Sequence, residues 1–163
     1  MEQELVSILI PVYNRVDLVS KTIDSAINQT YKNTEIIIVD NCSTDGTWKL
    51  LLQYALKDNR IHIFRNHENI GPVRNWKRCL DEAKGTFSKI LFSDDLMSEN
   101  FIEETLKQFD ENTAFVISTV KIIGESCDKV LGNYENINIF TTKRYFKNIL
   151  VYDHYGFPVS PVS

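Results

Sequence analysis

The chain has 163 residues, a mass of 18.9 kDa and a formal net charge of −4, with 18 Lys and Arg against 22 Asp and Glu. A chain of this length buries roughly 68–70% of its extended surface, enough for one core without staples. With 43% hydrophobic and 25% charged residues it is globular rather than disordered, and its acidic balance offers no basic footprint for a nucleic-acid polymer.

Residues 6–10 form a short apolar run ended by Pro11, which reads as a buried strand. Val16, Val19, Ile23 and Ile27 then recur at helical spacing, with Asn14 or Asp17 near the start. Residues 35–39 carry four consecutive β-branched side chains, the mark of a parallel strand covered on both faces. A turn-rich stretch at 40–47 leads into a helix at 48–57, and a third strand is expected at 61–64. Pro72 opens a helix running to Ala83, with Gly85 as its C-terminal stop. A fourth strand at 87–92 delivers Ser93, Asp94 and Asp95 at its end, followed by a helix at 100–109 and a fifth strand at 114–119. This alternation predicts an α/β layer fold with right-handed crossovers. Beyond Val120 the rhythm changes, to a hairpin over 121–132, a short helix over 142–151 and a loop-like tail.

Cys42, Cys79 and Cys127 are too dispersed for a zinc site or a disulfide scaffold. The acidic N-terminus lacks a signal-peptide pattern, and no run approaches the ~18 apolar residues of a membrane span. A cytoplasmic setting is expected, with peripheral contact at the inner membrane face left open.

In open α/β sheets ligands collect beyond the carboxyl ends of the strands, and four polar clusters of this chain fall there: 11–15, 40–46, 66–74 and 93–95. Asp40 either accepts a donor from a nucleobase edge or ligand hydroxyl, or closes a turn with Ser43, Thr44 and Asp45 around it. Asp94 and Asp95 repel one another unless a cation or donors lie between them, and such oxygen ligands suit Mg²⁺ or Mn²⁺. Their alternative is a turn cap at Asp95 with Asp94 in solvent. Arg74 opposes the dipole at a helix start, which suits a ligand contact; the plain alternative pairs it with Asp17 or Asp45. Tyr13 can stack on a base or cover the sheet edge. Trp48 and Trp76 read as packing residues, and Lys143, Arg144 and Lys147 as a solvated basic patch.

The segments VSILIPVYNR at 6–15, NQTYKNTEIIIVDNCSTDGT at 28–47, NIGPVRN at 69–75, AKG at 83–85 and LFSDD at 91–95 carry a family likeness. In this order they resemble the N-terminal, nucleotide-binding part of inverting family 2 glycosyltransferases with the GT-A fold. The resemblance implies a three-layer αβα sandwich, read as one incomplete domain over 1–163. Its αβ core is expected at 5–119, with an acceptor-side region starting at 120–163. Tyr13 matches the aromatic position against the nucleobase and Asp40 the carboxylate on its edge, often uracil. Arg74 matches a basic position near the nucleotide, and Pro11, Arg15, Asn41 and Ser93 complete the expected nucleotide-binding set. Asp94 matches the last aspartate of the DxD element, which holds a divalent ion, Mn²⁺ or Mg²⁺, with Asp95 beside it. There are two departures: Phe92 stands where DxD begins, and Asn41 replaces a common aspartate.

The implied reaction is inverting transfer from a nucleotide-diphosphate sugar, UDP-sugar favoured, to a hydroxyl of a glycan or glycoconjugate, as in surface polysaccharide synthesis. The general base matches a later acidic motif, expected beyond Ser163; Asp153 and His154 do not match it. The chain is thus expected to be truncated and to bind nucleotide better than it catalyses transfer. The alternative is a non-catalytic nucleotide-binding or assembly piece. A homo-oligomer is compatible with an exposed sheet edge.

Overall fold

The computed structural model describes residues 4–118, 120–122 and 129–131. Their elements are β1 (Val6–Val12), α1 (Val19–Ile27), β2 (Thr34–Asp40), α2 (Thr47–Ala55), β3 (Ile61–Arg65), α3 (Pro72–Glu82), β4 (Phe87–Ile90), α4 (Phe101–Leu106), β5 (Val120–Ile122) and β6 (Lys129–Leu131). The chain divides into two compact units, residues 1–104 and 105–163. In the first, β1 to β4 form a parallel sheet of order β3-β2-β1-β4. In the second, β5 and β6 pair antiparallel.

Both central strands, β1 and β2, are buried at all seven residues. Their near-continuous aliphatic runs cannot face water on either side, so helices must cover both faces. Right-handed crossovers put α1 and α2 on one face and α3, which returns the chain across β2 and β1 to β4, on the other. Leu9, Ile37, Val39 and Cys79 form one cluster with Phe64, Ala83 and Ile90 against it. Strand alternation gives the opposite face to Ile8, Ile10, Ile36 and Ile38, for which Val19, Ile23, Ala26 and Leu51 supply buried helical side chains.

Several elements differ from the sequence reading. Pro11 does not end β1, which continues to Val12. Even residues of β1 bond towards β2, as Asn41 N–H to Val12 O does, and odd ones towards β4, as Leu91 N–H to Leu9 O does. The N–H that Pro11 lacks would therefore point past Leu9 and Ile90, the last registered pair with β4, where no ladder bond is lost. Helix α1 begins after Leu18 without a side-chain cap. Asn14 instead adopts a left-handed φ of 49° and accepts a bond from Thr44 N–H.

Gly85 is no helix cap either. Ala83 follows α3 in an extended conformation, and a Cβ on Gly85 would lie 2.6 Å from Ser7 Oγ and 2.8 Å from Leu5 O. Glycine is needed there for close approach: its N–H donates to Ser7 Oγ and to the buried Glu35, which also accepts from the Ser7 hydroxyl and Lys84 N–H. The fourth strand stops at Ile90, two residues early. Of the fifth strand expected at 114–119, the described residues 114–118 are in no regular element, since strand propensity alone does not make a strand. The expected hairpin corresponds to β5 and β6, while the helix expected over 142–151 lies outside the described residues.

Arg60 ties the first unit together near the other end of the sheet. It donates to Asp58, to Thr34 Oγ1 and to Ile27 O at the end of α1. The Arg60 hydrogen bonds hold the Asp58 carboxyl below its usual range. A depressed carboxylate stabilises fully above its unfolded pKa and loses that contribution as pH falls through the native value. Asp58→Asn should therefore cost about 1–2 kcal/mol at neutral pH in urea unfolding, with the difference from wild type closing in acid. Gly85→Ala should lower stability by about 1–3 kcal/mol in the same measurement, since neither Ser7 nor the Leu5 backbone has room to give way.

Candidate functional site

The carboxyl ends of β1, β2 and β3 lie in register, with Val12 opposite Asp40 and Asp40 opposite Arg65. The ladder runs one residue further, through Asn41 N–H to Val12 O and Asn66 N–H to Asp40 O. On the other side of β1, β4 leads directly into residues 93–95. The strand order reverses between β1 and β4, the position at which open α/β sheets present a ligand crevice.

The loops above these ends brace one another. Ser43 Oγ accepts Asn14 N–H, Thr47 Oγ1 accepts Arg15 N–H, and Asp45 accepts Val16 N–H and both Thr47 donors. Cys42 and Gly46 take left-handed φ values of 66° and 99°, which fold the 40–47 segment tightly against the β1 loop. Pro11 is buried within β1, whereas Tyr13 is 42% exposed.

Asp40 is fully buried, and its carboxylate accepts Ser43 N–H and pairs with Arg65 Nε at 3.1 Å. The turn anticipated around it therefore exists, together with a counter-ion that sequence reasoning missed. Arg65 also donates to Ser43 O and stands 5.4 Å from the Trp48 ring. The strand register holds the signal that would have found it, because Arg65 is the cross-strand partner of Asp40.

Residues 94 and 95 present two exposed carboxylates, with Ser93 buried beneath them. Arg15 Nε lies 3.8 Å from Asp94 Oδ2, so two expected site residues from different strand ends meet here. Partial desolvation and the neighbouring Asp94 push the Asp95 carboxyl up, and Lys89 on β4 pulls it back. Phe92, standing where a DxD element begins, packs on Trp76 with ring centroids 5.2 Å apart. It is a packing residue at that position.

Arg74, in the first turn of α3, is exposed and makes no hydrogen bond or ion pair with another described residue. The pairing with Asp17 or Asp45 does not form, since Asp45 is engaged by Thr47 and Val16. Asn41 is buried with its side chain bonded inside the loops, to Asn66, Asn69 and Ile70. Asn66 lies in the 66–74 cluster, and Asn75 and Gln29 in the family-like segments, but the sequence alone gives none of the three a role of its own. Gln29, fully buried, donates to Ser25 O and Ser98 O and accepts Ile102 N–H, anchoring the arm that follows Asp95.

No group of three or more His, Cys, Asp or Glu residues converges as a metal cage among the described residues. Two adjacent carboxylates still fit a hard divalent cation that keeps water and takes ligand phosphate oxygens, the usual habit of Mg²⁺. No helix among the described residues is long and apolar enough to cross a membrane.

Comparison with known proteins converges on one family. The profile of glycosyl transferase family 2 matches residues 7–159. Glycosyltransferase GlyG of Streptococcus pneumoniae is 31% identical over 143 residues, covering 88% of this chain and 43% of GlyG. The Escherichia coli UDP-Glc:α-D-GlcNAc-diphosphoundecaprenol β-1,3-glucosyltransferase WfaP is 45% identical over 92 residues, covering 56% of this chain and 36% of WfaP. The structure of Staphylococcus aureus TarS 1-349 in complex with UDP superposes with a TM-score of 0.60 at 26% identity, over 66% of this chain and 32% of that one. The chain thus spans less than half the length of each of these proteins. It belongs to glycosyl transferase family 2, and its parallel sheet and covering helices have the GT-A fold.

Proposed function

We propose that this chain forms the donor-binding part of an inverting glycosyltransferase. The enzyme would move a sugar from a nucleotide diphosphate, UDP favoured, to a hydroxyl of a glycan or glycoconjugate. The observation that carries this reading is the meeting of Arg15 and Asp94 at the β1 and β4 ends, with the buried carboxylate of Asp40 at the neighbouring β2 end, opposite Val12. UDP bound to TarS and the UDP-Glc in the name of WfaP support the choice of nucleotide.

Each group has a distinct part. The exposed Tyr13 ring offers a stacking surface to the base. Asp40, an acceptor when ionised, takes an N–H from the base edge, and because its carboxylate is fully buried the base reaches it in exchange for the Arg65 guanidinium. Arg15 and Arg74 face the anionic diphosphate, for which a guanidinium is well matched in shape and charge. Asp94 and Asp95 would hold a divalent ion, which would supply positive charge for the nucleoside diphosphate leaving group. Transfer also requires a carboxylate that removes the proton from the acceptor hydroxyl while it attacks the anomeric carbon from the opposite side. We place that base beyond the donor site described here.

Calorimetric titration of UDP with and without Mn²⁺ tests the assignment. Mn²⁺ should tighten UDP binding by at least about tenfold, and Asp94→Ala should abolish that gain while leaving metal-free binding within about twofold. Equal affinity with and without Mn²⁺ in the wild type would remove the metal from the reading, and no binding of UDP, GDP or dTDP would remove the donor site itself.

A further inference from the structure

Three asparagines are buried together at the carboxyl ends of β2 and β3 and in the first turn of α3: Asn41, Asn66 and Asn75. An asparagine carries two N–H donors and one carbonyl acceptor, and burying them without partners is costly. Here they satisfy one another. Asn66 Nδ2 donates to Asn41 Oδ1 at 2.9 Å and to Asn75 Oδ1 at 2.8 Å, while its own oxygen accepts the Arg78 guanidinium. Asn75 Nδ2 donates to Val39 O, holding α3 to β2. Asn41 Oδ1 accepts a second bond from Ile70 N–H, and Asn41 Nδ2 donates to Asn69 Oδ1, which in turn accepts Gly71 N–H.

This network fixes a particular piece of chain. Asn69 and Ile70 are held to Asn41, beside Asp40, and Gly71 to Asn69, while Asn75 pins the helical turn that carries Arg74. Gly71, with a φ of 82° and open space around its missing Cβ, makes the bend between loop and helix. Asn66 is the hub, because both of its N–H donors bridge the two other buried side chains. A single buried donor or acceptor left unpaired would release the loop from the strand ends.

We infer that Asn66 is a positioning residue that sets the 69–74 segment, and Arg74 with it, against the phosphates of the nucleotide, while leaving the base end of the site to Tyr13 and Asp40. This rests on the donor-site reading above. It predicts a selective loss: a disturbed network weakens the phosphate contribution and spares the nucleoside contribution. A residue that only stabilises the fold would weaken both alike.

The test compares UDP and uridine binding to the wild-type chain, Asn66→Asp and Asn69→Ala, all without metal. Asn66→Asp keeps the size of the side chain but removes the two donors. The exposed Asn69 lies at the far end of the network, so its variant keeps the buried core intact. Asn66→Asp should weaken UDP about fivefold to tenfold and uridine by less than about twofold, with Asn69→Ala shifting the same ratio by about twofold to threefold. Amide hydrogen exchange at Ile70 and Gly71 should quicken in both variants while Ile8 and Ile37 stay protected. If the wild type binds UDP and both variants keep its UDP-to-uridine ratio, the inference is wrong and the donor site stands. If the wild type binds no nucleotide, the donor-site reading fails and takes the inference with it. Should Asn66→Asp not fold, the Asn69→Ala ratio alone decides.

Discussion

Two adjacent parallel strands, buried along every residue, allow polar groups to be placed only where they can be paired. Strands β1 and β2 contain Ser7 and Glu35 at one end and Asp40 at the other, and each is matched by a specific partner. At the amino-terminal end the partners are backbone N–H groups of Lys84 and Gly85, which lock the α3 to β4 connection. At the carboxyl end they are an arginine and a turn amide, both belonging to segments that can contact a ligand. The sheet thus has one end whose polar groups are paired within the fold, and another where we propose that the ligand binds.

That separation explains the density of hydrogen bonds above the carboxyl ends. The β1 loop, the 40–47 turn and the 66–71 loop are short, polar and left-handed in places, so they have little core of their own. Their shape comes from side chains that bond across from one loop to the next, such as Asp45, Thr47 and Asn41. Charges at the rim are only partly compensated: Arg74 makes no ion pair with a described residue, and the adjacent carboxylates of Asp94 and Asp95 have Arg15 3.8 Å from Asp94 and Lys89 acting on Asp95. Such groups are poorly explained by stability and well explained by a ligand that is itself charged.

Much of this was legible in the sequence. The order of strands and helices follows from apolar runs such as 36–39 and from turn chemistry such as Asp45 and Gly46, both local signals. The motif segments further marked Tyr13, Asp40, Arg74 and Asp94. What could not be read depends on registration between distant segments. Pro11 sits inside a strand because of which side its missing donor faces. Gly85 serves Ser7, 78 residues away, rather than the helix beside it. Arg65, Asn66 and Asn75 take on individual roles only when the ends of β2 and β3 are aligned, and residues 114–118 have strand-like composition but are in no strand.

The central claim is that nucleotide and metal meet at the β1 and β4 ends of the sheet. Paramagnetic Mn²⁺ added with saturating UDP to isotopically labelled protein reports this directly, by broadening amide resonances near the ion. Broadening should centre on residues 93–95 and 13–15 and leave Glu35, Lys84 and Gly85, at the opposite end of the strands, sharp. Bound UDP with no local broadening, or with broadening centred on Lys84 and Gly85, would contradict it.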